Sequence, residues 1–95
     1  MANHKDALKR IRQNKKRRAR NRQYRSQMRN RIKRIQSALS DGDLERAEAQ
    51  FSQAVSIIQR TAQKGVIHKK QAARRVSRLS AEIKRHKIAI QEKTA

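Results

Sequence analysis

Lys15, Lys16, Arg17, Arg18, Arg20, Arg22 and Arg25 place seven cations within eleven consecutive residues. From residue 12 to residue 23 no large apolar side chain interrupts them, and Ala19 alone is apolar. On a helix, which advances ~100° per residue, these groups surround the rod instead of marking one face. Guanidinium forks and ammonium groups in that density suit phosphate oxygens arriving from several directions. Lys5, Lys9, Arg10 and Arg12 extend the run toward one end, and Arg29 and Lys33 extend it toward the other. A second group gathers Lys64, His68, Lys69, Lys70, Arg74, Arg75 and Arg78, with Arg85 beyond it.

Other chemistry finds little support. Catalysis would need a glycine-rich phosphate loop, paired carboxylates in an apolar setting or an activated nucleophile, and none is visible. Cysteine is absent, which removes disulfides, thiolate metal sites and thiol nucleophiles together. His4, His68 and His86 share no i, i+4 spacing, so no helical metal pair exists and neither metal nor cofactor is expected. His68 reads as a helix cap or phosphate contact, and His86 as a core-edge residue on the inner side of its helix.

The 95 residues carry 27 Lys plus Arg against 7 Asp plus Glu, for a formal charge of +20. Such a chain repels itself unless a dense polyanion neutralises it, and nucleic acid is the commonest one. The charge is also uneven: residues 1–36 net +14, residues 37–63 net −2, and residues 64–95 net +8. A uniform solubilising coat would not be divided in this way. No run of about 18 apolar residues could span a membrane. The beginning of the chain lacks the apolar core of a signal peptide, so a cytoplasmic address is expected.

The elements that must position these cations are helices. Ala, Arg, Lys, Gln, Leu and Ile dominate, and proline is absent. Gly42 and Gly65 read as helix-ending glycines, and Asp43 as the cap of the next helix, with Glu45 and Glu48 near its start. Three helices follow, over 5–39, 43–63 and 68–92, within one domain of 95 residues. Their apolar stripes are Tyr24, Met28, Ile32, Ile35 and Leu39; Leu44, Ala47, Phe51, Val55, Ile58 and Ala62; and Ala72, Val76, Leu79, Ile83 and Ile90. Short connections make neighbours antiparallel, so the expected architecture is an all-α, up-down-up three-helix bundle.

Helix one outreaches helix two by several turns, so residues 5–20 should overhang the bundle. Like charges three and four residues apart oppose helix formation there, and folding on binding is expected. Leu8 and Ile11 sit off the apolar stripe, either as incidental helix formers or as contacts to ribose and base edges. Lys70, Arg74, Arg78 and Arg85 should form an outer ridge on helix three, running alongside a ridge of Arg22, Arg25, Arg29 and Lys33 on helix one, the two either flanking a single groove or clasping two different nucleic-acid segments. Lys69 and Lys70 open helix three where the dipole disfavours cations, a conflict that a phosphate would resolve. About fourteen large core residues make a small core, so marginal stability without the polyanion is expected.

Two rival classes share part of this pattern. A DNA-binding or nucleoid-associated protein would usually show a recognition helix at a tight turn or a dimer seam. A membrane-active helix would need a broad apolar face, which residues 12–23 lack. No small-molecule substrate and no homo-oligomer is expected.

Met1-Ala2-Asn3-His4-Lys5, Arg25-Ser26-Gln27-Met28-Arg29, the Gly42-Asp43 turn and Lys64-Gly65-Val66-Ile67-His68-Lys69-Lys70-Gln71-Ala72-Ala73-Arg74 together resemble the bacterial small-subunit ribosomal protein S20 family. The likeness runs in order through the chain, weakest in the middle helix and without a motif after about Ile90. It implies a three-helix, non-enzymatic protein that binds 16S ribosomal RNA directly and helps the small subunit assemble, with other subunit components as further partners. By the same resemblance, RNA contacts fall on the basic first helix and on His68 through Arg74 with Arg75 and Arg78. The resemblance leaves open a bacterial cytoplasm or an organelle of bacterial descent. Recognition should work through phosphates, sugars and folded shape, because the deep groove of A-form RNA excludes side chains.

Overall fold

The computed structural model describes residues 2–94, and the side chains of residues 5–93. His4 therefore lies outside the described side chains. Three helices follow one another: α1 (Ala2–Ser40), α2 (Leu44–Gln63) and α3 (Lys69–Thr94). The Cα envelope measures 76 × 22 × 14 Å, far longer than it is wide.

Both turns are built on glycine, and both close in the same way. Gly42 has φ +74° and Gly65 has φ +77°, in the left-handed region that a side chain disfavours. At the first turn, Asp43 N–H donates to the Ala38 carbonyl at 2.8 Å and Gly42 N–H to the Leu39 carbonyl at 3.1 Å. At the second, Val66 N–H donates to the Thr61 carbonyl at 3.1 Å and Gly65 N–H to the Ala62 carbonyl at 2.9 Å. These paired bonds satisfy carbonyls that a helix end would otherwise leave open. Buried Val66 adds the apolar contact that accompanies such a turn. Asp43 caps α2, its carboxylate accepting from the Arg46 N–H at 3.1 Å. The Arg46 guanidinium then bonds Asp41 at 3.0 Å, drawing the acidic corner together.

The core is a seam of small and branched side chains. Met28, Ile35, Ala38 and Leu39 of α1 meet Ala47, Ala54 and Ile58 of α2 and Ala72, Leu79 and Ile83 of α3. Tyr24, Ile32, Leu44, Phe51, Val55, Ala62 and Val76 are only half-buried at its edges. Ala38, Ala47 and Ala54 are fully enclosed, so backbones approach closely where an alanine stands. Thr61 is enclosed as well, and its hydroxyl donates to the Ile57 carbonyl one turn back. A buried hydroxyl is tolerated when it finds such a partner.

The structure corrects three sequence expectations. Ile90 is 36% exposed, because α3 has passed the start of α2 by then and little is left to cover it. His86 is exposed, not core-edge, and its Nδ1–H donates to the Glu82 carbonyl at 3.0 Å. Finally, α3 does not run along α1. It packs on α2, which also packs on α1, whereas α1 and α3 touch at few positions. The basic ridges of α1 and α3 therefore do not wall a common groove.

Candidate nucleic-acid interface

Residues 5–20 of α1 are exposed at every position. The last turn of α2 reaches α1 near Tyr24, since Arg60 borders the same concavity as Arg20, Tyr24 and Gln27. Below that level, among the described residues, nothing covers α1. The segment is a helix held by its own backbone bonds, and Leu8 and Ile11 are 45% and 52% exposed upon it. Lys5, Lys9, Arg10, Arg12, Lys15, Lys16, Arg17, Arg18 and Arg20 all project from this rod.

Where the rod joins the bundle, Arg18, Asn21, Arg22, Arg25 and Arg29 border a shallow concavity on one flank of α1. The buried Asn21 Oδ1 has no protein partner there. Lys33 is exposed further along the helix.

The second cationic group opens α3. His68 caps this helix: its Nδ1 accepts from the Lys70 N–H at 3.1 Å, and its carbonyl accepts from the Ala72 N–H at 3.1 Å. An accepting Nδ1 leaves the proton on Nε2, which points that N–H away from the backbone it caps. Lys64, Lys69, Lys70, Arg74, Arg75, Arg78 and Arg85 are exposed. No acidic residue occupies the first turn of α3, so the dipole and the lysines remain opposed there.

Electrostatically, the cations stand alone. Among the described residues, ion pairs join Arg46 to Asp41 and Asp43, and Lys87 to Glu48. All three cluster toward the α1–α2 turn, and no candidate residue takes part. No group of three His, Asp or Glu among the described residues could hold a metal ion. No helix there is long and apolar enough to cross a membrane.

Attention to charge runs passes over three arginines. Arg31, Arg34 and Arg60 meet across a groove between α1 and α2. Arg31 and Arg34 lie on the flank of α1 opposite Arg22, Arg25 and Arg29, given the ~100° step of a helix. Their three-residue spacing beside the apolar stripe hints at an interhelical position, but nothing in the sequence near Arg60 pairs it with them.

Comparison with known proteins fits this arrangement. The Ribosomal protein S20 family profile matches residues 2–84. The chain is 48% identical over 89 residues to the small ribosomal subunit protein bS20 of Magnetococcus marinus, covering 94% of this chain and 97% of that one. It is 51% identical over 80 residues to the bS20 protein of Trichlorobacter lovleyi, covering 84% of this chain and 92% of that one. The bS20 protein of Pseudomonas aeruginosa is 50% identical over 84 residues, with 88% and 92% covered. A profile match over most of the length, near-50% identity along nearly whole chains and a basic, all-helical architecture agree: the chain belongs to the ribosomal protein S20 family.

Proposed function

We propose that this protein is a structural, non-catalytic component of the small ribosomal subunit in the cytoplasm. In this reading it binds 16S ribosomal RNA directly and aids its folding, alongside other subunit components. The observation that carries it is the α1 overhang, exposed at every position from 5 to 20, where Asp6 is the single carboxylate among nine cations and joins no ion pair among the described residues. A rod of this kind enters the space between crowded RNA helices and neutralises phosphates on several sides. Lys5, Lys9, Arg10, Arg12, Lys15, Lys16, Arg17, Arg18 and Arg20 serve as its phosphate contacts. Arg22, Arg25, Arg29 and Lys33 continue that surface onto the bundle. Lys64, His68, Lys69, Lys70, Arg74, Arg75, Arg78 and Arg85 supply a separate surface around the start and outer face of α3.

A phosphate at the α3 N-terminus would offset the dipole conflict created by Lys69 and Lys70. Tyr24 and Phe51 stand half-buried on different helices and form no row of rings on which successive bases of a single strand could stack, which supports recognition of folded RNA by shape. Competition between folded 16S RNA and duplex DNA of equal phosphate content, at matched salt, tests the reading. RNA is expected to displace the DNA, whereas equal competition would favour the DNA-binding alternative.

A further inference from the structure

The groove between α1 and α2 differs in chemistry from the rest of the basic surface. Gln27, Asn30, Arg31 and Arg34 of α1 face Gln53 and Arg60 of α2 across about 440 Å³ of open space. Half-buried Ile57 forms an apolar floor, and α3 contributes no lining residue. Arg31 Nη1 donates to Gln53 Oε1 at 2.8 Å, which fixes one guanidinium across the groove. Among the described residues, no carboxylate pairs with Arg34 or Arg60.

Phosphate binding alone needs only the cations. Amides add something else, because each carries a donor and an acceptor side by side and can pair edge-on with a nucleobase. A guanidinium plane and an aliphatic floor suit the face of a base. In an A-form duplex the major-groove edges are closed to side chains and the base faces are stacked, so a base that meets both these amides and the Ile57 floor must be unpaired. The groove volume is that of a small-ligand pocket, not of a duplex-sized cleft.

The geometry points to a site for one unpaired ribonucleotide of the bound RNA. Arg34 and Arg60 hold its phosphates, its base lies against Ile57 and the Arg31 plane, and Gln27 and Asn30 read its edge. The inference rests on the RNA-binding reading above and adds a position where base identity matters, on the flank of α1 away from Arg22, Arg25 and Arg29.

The test uses the full chain on 16S RNA, with base-specific chemical probing, hydroxyl-radical probing of the backbone and a salt series. Gln27→Ala with Asn30→Ala removes two exposed amides and no charge, and it leaves Gln53 to anchor Arg31. The expected result is about a tenfold loss of affinity, an unchanged salt slope and lost protection of an unpaired base, with backbone protections elsewhere retained. Arg34→Gln with Arg60→Gln should lower the salt slope by about one to two. Wild-type affinity and base protection in the amide variant would overturn the site. An unchanged slope in the arginine variant would overturn it as well. Failure of the wild-type chain to bind 16S RNA would instead reject the underlying reading.

Discussion

Replacing Arg17, Arg18 and Arg20 with Gln is expected to weaken binding to 16S RNA about a hundredfold at physiological salt. Each phosphate contact releases condensed counterion, worth ~1 kcal/mol at that ionic strength, and three such contacts lie together on the rod. The same variant should lower the slope of log affinity against log salt by about two to three. All three side chains are exposed, so thermal stability of the free protein should hold or rise slightly as self-repulsion falls. Affinity and slope are read together by filter binding across a salt series. A variant indistinguishable from wild type would place the RNA elsewhere.

Ile58→Ala is expected to have the largest effect on stability. Ile58 is fully buried in the C-terminal half of α2, the helix that packs on both others, so its cavity would open to both seams. Truncation of a buried Ile costs about 2–5 kcal/mol. In a chain of this size that corresponds to a fall of roughly 10–25 °C in Tm, followed by circular dichroism. Saturating RNA should restore much of the loss, since a ligand at a thousand times its Kd adds about 4 kcal/mol to the folded state. Ile88→Ala supplies the contrast. Ile88 is 48% exposed, and its truncation should shift Tm by only a few degrees. Equal shifts for the two variants would contradict the core assigned to the bundle.

The sequence made the helical elements legible because their punctuation is local. Gly42 and Gly65 must adopt positive φ, and Asp43 must cap, whatever lies elsewhere in the chain. The overhang was legible for a similar reason, through the lengths on either side of Gly42 and the lack of large apolar residues from 12 to 23. Interhelical facts were harder to read. Ala38, Ala54 and Thr61 are enclosed more fully than Tyr24 or Phe51, because close backbone approach favours small residues and pushes large rings to the edge. Periodicity weights side chains by hydrophobicity, so it ranks these positions the other way round. Likewise, Arg31, Arg34 and Arg60 become neighbours only once α1 and α2 pack together. The side of α2 on which α3 docks is a property of the assembled core that no single stripe records.

The candidate site shows the same division. Charge runs pick out the rod and the start of α3 from the sequence alone, since density and order suffice. His68 was legible as a possible cap from its place before Lys69, and its Nδ1 accepts the Lys70 N–H. His86, by contrast, falls near the apolar stripe by period and yet is exposed, its ring turned back onto the Glu82 carbonyl while neighbouring Lys87 reaches Glu48 of α2.

Amide hydrogen exchange over residues 8–20, with and without 16S RNA, goes furthest toward deciding whether this unsupported helix is the part of the molecule that RNA completes. Fast exchange in the free chain and strong protection in the complex are the predicted outcome, because only backbone bonds hold this segment before binding. Identical exchange in both states, with new protection confined to the bundle, would mean that the RNA never encloses the rod.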